Sequence, residues 1–383
     1  MANRYFLFVI NVIFLLIIPK AWNKTIQRKL IVNAAENKIV LKTTKFDLRA
    51  LKDRFKENPY KVTANTKEIY YENIENENYE GIITSLTLTW NHSVIDCSYM
   101  FYNLTSITSI DLRNFDFSVV NKTEKMFAGC QNLKTITFPN KVLKLSIIDM
   151  NHMFYDCYTL DTLTNFGLLE FSSVKNISAL FYNCRSFKSL TISNIKTENV
   201  LNASYMFYSC SSLTTLDSQN LIMPNVLDIS YMFYNCVNLK ILNLSNFNSS
   251  NIINIDSLFE RCSSLISLDL SNFDFVSISL SNILFKDLSN LQLLKLSNIN
   301  IYNNSNISDL FINNNNLNYL YLNNFNAENS EVNMETLFKN LRKLEFLDMS
   351  NFKIANNANM NNIFLGCQNL VTLNLSNFKY IYN

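Results

Sequence analysis

The sequence predicts a mainly β or α/β repeat fold, a solenoid of 26- to 27-residue coils carrying one continuous parallel sheet. Three observations predict it. Phe returns every 26 or 27 residues, at Phe101, Phe127, Phe154, Phe181, Phe207, Phe233, Phe259, Phe285, Phe311, Phe338 and Phe364. Six residues after each Phe begins an apolar run spaced L-x-x-L-x-L, as in Leu239, Leu242 and Leu244, or Leu265, Leu268 and Leu270. Gly and Pro number only four each although 48% of the chain is hydrophobic, so the corners of the coils fall to Asn and Ser.

The first segment, residues 1–22, reads as a secretory signal. Arg4 supplies the positive charge, residues 5–18 form an apolar core broken only by Asn11, and Ala21 or Trp22 lies near the cleavage point. The stretch is short for a membrane span, which favours removal over retention as an uncleaved anchor. No second apolar run of spanning length occurs, and no hydrophobic tail for a lipid anchor is visible. Membrane attachment is therefore expected only through an unidentified anchor or the uncleaved signal.

Residues 23–81 differ in composition, with dense charge of both signs from Arg28 and Lys29 through Asp47, Arg49, Lys52, Asp53, Arg54 and Lys56 to Glu75, Glu77 and Glu80. A terminal repeat needs a polar cover over its open core, so this segment reads as a charged N-terminal cap of mixed helix and strand. A charge-rich spacer is the alternative. Residues 82–383 form the solenoid, and no polar cap follows the turn at Asn377 and Phe378.

Within each coil the columns have separate duties. The residue before the Phe is always aliphatic, for instance Met206, Met232, Leu258, Leu284 and Ile363, and joins the Phe in the core. The period-two alternation of the last two Leu residues marks a short strand with Leu inward. Thirteen residues after the Phe stands Asn, from Asn114 to Asn377 including Asn194 and Asn220, with Gly167 the one exception. A column of amides there is expected to satisfy backbone groups of adjacent coils. The following Phe or Ile, such as Phe115, Phe247, Phe273, Ile299, Phe325, Phe352 and Phe378, fills the corner beneath the turn.

Cys130, Cys157, Cys184, Cys210, Cys236, Cys262 and Cys367 occupy the third position after the Phe. Their spacing matches no zinc pair. The coil separation would permit disulfides, but Leu104, Leu288 and Leu341 stand in the same column, which points to small buried hydrophobes. Cys97 lies outside this column and is expected to be exposed or paired with a neighbour.

Laid out as MF-x-x-C-x-x-L-x-x-L-x-L-S-N-F, the unit resembles that of the BspA-like leucine-rich repeat surface proteins from about residue 82 onward. The resemblance implies a leucine-rich-repeat solenoid, secreted or at the cell surface, with an adhesin-like role, extracellular protein or glycan ligands, and no enzymatic activity in the repeat. It carries over no functional residue. This chain departs from the pattern where the units at Phe285, Phe311 and Phe338 lack the Cys, and where residues 312–318 are nearly pure Asn around their core positions.

Strand positions pointing away from the core make two outward columns. One runs Ser109, Thr135, Thr162, Ser189, Thr215, Ile241, Ser267, Leu293, Tyr319, Phe346, Thr372, and the other Asp111, Thr137, Thr164, Thr191, Asp217, Asn243, Asp269, Lys295, Tyr321, Asp348, Asn374. Leu293, Tyr319, Tyr321 and Phe346 should cluster beside Lys295 and Asp348 on the exposed face of the sheet. Exposed aromatics rimmed by charge are typical of binding hot spots, which makes these six the candidate ligand-binding patch. Aromatic residues also favour strands for their own sake.

Other functions find little support in the residues. A formal net charge of +2, with no long Lys or Arg run, gives no ground for nucleic-acid binding. His92 and His152 are the only histidines and lack the partners of a catalytic or zinc arrangement, so no catalytic residue, metal or cofactor is expected. No GxGxxG or P-loop occurs. Asn-x-Ser/Thr triplets are frequent, but an Asn- and Ser-rich chain yields many by chance, and Asn243 and Asn374 fall within expected strands. Self-association into a surface coat is the alternative to ligand binding.

Overall fold

A computed structural model describes residues 37–381 apart from 53, 76–78, 192–196, 218–220, 248–249, 274–283, 286–287, 301–306, 309, 328–333 and 356–357. The expected signal at 1–22, the beginning of the expected cap, and Asn194 and Asn220 lie outside the described residues. Four strands open the described chain: β1 (Asn37–Thr43), β2 (Lys61–Ala64), β3 (Lys67–Tyr70) and β4 (Ser85–Trp90). The coils then supply β5 (Ile107–Asp111), β6 (Thr135–Thr137), β7 (Leu143–Lys144), β8 (Thr162–Thr164), β9 (Leu169–Glu170) and β10 (Ser189–Thr191). After these come β11 (Thr215–Asp217), β12 (Ile241–Asn243), β13 (Ser267–Asp269), β14 (Leu293–Lys295) and β15 (Tyr319–Tyr321). The last are β16 (Asn326–Ala327), β17 (Phe346–Asp348), β18 (Lys353–Ala355), β19 (Thr372–Asn374) and β20 (Lys379–Ile381). The molecule is a mainly β solenoid of parallel coils of about 26 residues, as its repeat predicts.

Alternation along each short strand decides its two faces. In β12, Leu242 is buried while Ile241 and Asn243 on either side are exposed. Register is set by the same alternation, since a slip of one residue would turn every such Leu to water. Ser267, Leu293, Tyr319, Phe346 and Thr372 accordingly pair in line, and so do Asp269, Lys295, Tyr321, Asp348 and Asn374. Asn243 and Asn374 do lie in strands.

The core is a stack of like on like. Phe127, Phe154 and Phe181 lie face to face with ring centroids 5.5 and 5.4 Å apart, and Phe311, Phe338 and Phe364 continue the motif at 6.1 and 5.6 Å. The corner column stacks likewise, Phe325 on Phe352 at 4.7 Å and Phe352 on Phe378 at 5.7 Å. Each column cysteine is a free thiol whose Sγ donates to the carbonyl of the preceding coil's Phe, from Cys130 to Phe101 at 3.0 Å through Cys236 to Phe207 at 3.1 Å to Cys367 to Phe338 at 3.0 Å. Cys97 is buried too, which corrects the expectation of an exposed or paired thiol. It stands four residues before Phe101, in the inward column of Met150, Ile177, Ala203 and Ile229, all of which are buried.

The sheet is not continuous, contrary to the sequence reading. A seven-stranded sheet in the order β3-β2-β4-β1-β5-β6-β8 is separate from an eight-stranded one in the order β10-β11-β12-β13-β14-β15-β17-β19. The break falls in the coil of Phe154. Where most coils place a third inward apolar residue, this one has Asn165, which adopts a left-handed backbone (φ 64°) and donates its amide to the Phe138 carbonyl at 3.1 Å. Phe166 then enters the core one residue late, edge-on to Phe154 and Phe181 at 5.9 and 6.0 Å, while Phe187 in place of the first Leu packs against Phe181 from another side. Phe166 in this coil and Phe187 in the next thus add rings to the core on either side of the break.

At the other end of the seven-stranded sheet, β1 lies antiparallel between β4 and β5, so the strand edge of the first coil is paired. β4 belongs to this antiparallel part although it lies beyond residue 81. Phe55, Trp90 and Phe101 close the core there with centroids 6.0 and 6.4 Å from Phe55.

Candidate functional site

The six residues singled out on the sheet face are brought together. Leu293, Tyr319 and Phe346 form one row across β14, β15 and β17, and Lys295, Tyr321 and Asp348 form the adjacent row. Tyr319 is exposed and the other five are half-buried. Tyr321 and Phe346 meet diagonally, with ring centroids 5.0 Å apart and a 40° tilt. Lys295 sits with its Nζ 5.9 Å from the centre of the Tyr321 ring and 3.3 Å from Asp269 Oδ2. The cation is held by two neighbours yet stays partly hydrated, an arrangement that adds little stability and leaves the charge open to a partner.

A second aromatic surface lies on the turn that precedes each strand. The residues two before and one after the recurrent Phe point outward there, because the Met or Leu and the Phe between them point inward. Main-chain bonds to the next coil fix the turn: Tyr205, Phe207 and Ser209 donate to the carbonyls of Ser230, Met232 and Tyr234 at 2.9, 2.9 and 2.8 Å. The outward rings therefore stack in register. Tyr155, Tyr182, Tyr208 and Tyr234 form one ladder with successive centroids 4.5, 4.4 and 4.8 Å apart, and Tyr205 and Tyr231 form a parallel one at 4.8 Å. Burial, then the phenols of Tyr208 and Tyr155, raise the Tyr182 hydroxyl well above its ordinary pKa. Arg261 covers the Tyr234 ring, its guanidinium carbon 5.4 Å from the centroid.

The family model described as "Mycoplasma protein of unknown function, DUF285" matches residues 74–166, 95–219, 148–273, 214–303 and 278–381, overlapping copies that span the coils. The chain belongs to that family. No curated protein is significantly similar to this DUF285 chain. Among solved structures, a chain of the Toll–Spatzle complex of Drosophila aligns with it at 20% identity and a TM-score of 0.37, over 77% of this chain and 41% of that one. A chain of the TLR13–ssRNA13 complex aligns at 16% identity and a TM-score of 0.32, over 74% and 41%. An internalin from Listeria monocytogenes aligns at 17% identity and a TM-score of 0.31, over 73% and 83%. The DUF285 chain thus spans about two fifths of the first two chains it matches.

Among the described residues of the DUF285 chain, no group of three or more His, Cys, Asp and Glu could hold a metal ion, and no helix is long and apolar enough to cross a membrane. The column thiols are poor nucleophiles, because burial raises Cys130, Cys210 and Cys262 to about 12. His92 and His152 do not meet: His92 is exposed and lies 3.8 Å from Glu57, whereas His152 lines the tyrosine face beside Tyr155, at 5.3 Å between ring centroids. The sheet patch was readable from strand alternation alone. The tyrosine ladders were not drawn from the sequence, although YMFY at residues 99–102, 205–208 and 231–234 carried the signal.

Proposed function

We propose that this DUF285 chain is a secreted or cell-surface recognition protein, adhesin-like, that binds an extracellular protein or glycan through the sheet face at Leu293, Lys295, Tyr319, Tyr321, Phe346 and Asp348. The observation that carries the reading is the Tyr319, Tyr321 and Phe346 cluster on the outer face of two paired strands, Tyr319 exposed and the other two rings half-buried, with Lys295 beside it on a third. Rigid strands hold these rings without much loss of freedom on binding, which is how aromatic anchors gain affinity. Arg4 and the apolar residues 5–18 support export, and the resemblance of the unit to BspA-like repeats supports adhesion. Residues 23–81 belong to the same proposal as a cover for the first coil.

The test is attachment of purified protein to host matrix and cells, comparing the wild type with a Tyr319→Ser, Tyr321→Ser, Phe346→Ser triple variant. A control triple at Thr135, Thr137 and Thr162, on the same face in the other sheet, should attach normally. Loss of at least about tenfold in affinity is expected for the patch variant, since a hot-spot aromatic contributes 2 kcal/mol or more. Unchanged attachment with an intact circular dichroism spectrum would remove the patch from consideration.

A further inference from the structure

The outward column two residues before the Phe carries rings at four of its first six positions, with Lys125 and Ala179 the exceptions. It reads Tyr99, Lys125, His152, Ala179, Tyr205, Tyr231. At Ala179 a groove of ≈ 370 Å³ opens, lined by His152, Tyr155, Ser178, Ala179, Tyr182, Ser204 and Tyr205. Ala179 is its floor, buried with only a methyl group to offer.

We propose that this notch is a binding site for one planar aromatic ring, the side chain of a Tyr or Phe presented by a partner polypeptide, which enters between His152 and Tyr205 and completes the ladder. The site is separate from the sheet-face patch and does not depend on it.

Spacing argues for a flat ring. One coil further on, Tyr205 and Tyr231 stack at 4.8 Å with their planes within 5°. His152 and Tyr205 are two coils apart, about 9.6 Å on the ordinary inter-strand spacing. A ring inserted midway would have its centre about 4.8 Å from each wall, within the range of offset aromatic stacking. A flat ring would present a π face to both walls, which a saturated ring lacks.

The rim suits a ring with a polar edge. Ser204 Oγ donates to Asn202 Oδ1 at 2.8 Å and so keeps lone pairs to accept a bond, and the hydroxyl of Ser178 lies beside it. The phenols of Tyr155 and Tyr182 form the side wall, stacked 4.5 Å apart. Burial and the nearby Lys125 lower the pKa of His152, so at neutral pH its ring is an uncharged stacking surface. The backbone is already shaped for a ringed residue, because Ala179 has φ 52° and Tyr205 has φ 58°.

The shared geometry supplies a blocking variant. Ala179→Tyr places the missing ring on the chain itself, in a backbone conformation that Tyr205 and Tyr231 already adopt. The probe is N-acetyl-L-tyrosinamide, titrated into the full chain with alanine methyl groups labelled for NMR, and methyl α-D-glucopyranoside is titrated in parallel. A saturable upfield ring-current shift of the Ala179 methyl with the tyrosine probe is expected. Tyr205→Ser, which removes one wall, should weaken the probe about tenfold, and Ala179→Tyr should abolish binding while its circular dichroism stays native. No saturable shift, a shift with the glucoside alone, or unchanged binding to a folded Ala179→Tyr chain would each overturn the proposal. Should Ala179→Tyr not fold, unchanged binding in Tyr205→Ser would do the same.

Discussion

Asn314 is the weakest member of the thiol column. It stands where most coils place Cys, is buried, and reaches the Phe285 carbonyl at 3.4 Å, while its Oδ1 has no hydrogen-bond partner among the described residues. A buried acceptor without a partner costs about 1–3 kcal/mol, and a thiol would keep the one useful bond. Asn314→Cys is expected to stabilise the protein by about 1–2 kcal/mol, read as a raised urea midpoint at unchanged slope. A lower midpoint would refute that account of the column. Thiol reactivity offers a second check. With Cys130, Cys210 and Cys262 at about 12 and burial likewise raising Cys157, Cys184 and Cys236 well above the ordinary thiol range, these thiols should resist Ellman's reagent at pH 8 in the native protein and react fully in guanidinium. His152 supplies a pH dependence whose sign is fixed. Its pKa is lowered in the folded state by burial and by Lys125, so the native protein disfavours the proton that the unfolded chain accepts near 6.5. Stability should be level above pH 7 and decline as the pH falls through 6.5 toward the lower folded value, and His152→Gln should flatten that part of the profile. The inward columns were legible because their chemistry repeats. The left-handed corners were not: Tyr99, Lys125, His152, Ala179 and Ser257 share a positive φ of 50–60° without sharing a side-chain type, because inter-coil hydrogen bonds impose the conformation.

At the scale of the element, Asn does more than one job. The column thirteen residues after the Phe was expected to satisfy backbone groups, but from Asn298 onward its amides bond to one another: Asn298 to Asn272, Asn324 to Asn298, Asn351 to Asn324 and Asn377 to Asn351 at 2.7–3.0 Å. Backbone carbonyls are instead served by Asn132, Asn238, Asn290 and Asn316, which reach Thr105, Ser211, Ser263 and Ser289 of the preceding coil at 2.7–2.8 Å. A further column, Asx at every level except Lys122, bridges coil to coil from Asp96 through Asp149 and Asn202 to Asn254. Each of its Asp and Asn side chains accepts the amide two residues on, as Asp149 does from Asn151 at 2.9 Å. The first coil is secured differently. Glu57 Oε1 accepts from the amides of Ile95 and Asp96 at 2.9 and 3.0 Å, and its own carbonyl accepts the Trp90 indole proton at 2.8 Å. Hydrogen bonds to a charged group are worth about 1.5–3 kcal/mol, so Glu57→Ala should lower the stability by that order in thermal or urea melts. Pairing of this kind joins residues far apart in sequence, and for that reason the placement of β1 between β4 and β5 was invisible in a reading built on local period.

Over the whole molecule the two sheets share one core. The Phe stack crosses their junction from Phe154 to Phe181 at 5.4 Å, and the Asx bridge crosses it from Asp149 to Asn176. Only the strand ladder is interrupted. Amides of β10 should consequently exchange with deuterium faster than those of β12, which is paired on both sides, and equal protection would mean that the break is not a weak point. That interruption escaped the sequence reading because it depends on Asn165 and Phe166 exchanging inward and outward roles, a shift of a single residue within an otherwise regular period. The regular part has a genetic corollary. Excising residues 207–232 would join Met206 to Phe233, remove 26 residues, and leave every remaining rung in phase with its new neighbour. Length is thus a quantity that recombination between copies can lengthen or trim in whole steps, giving descendants of different reach from one gene.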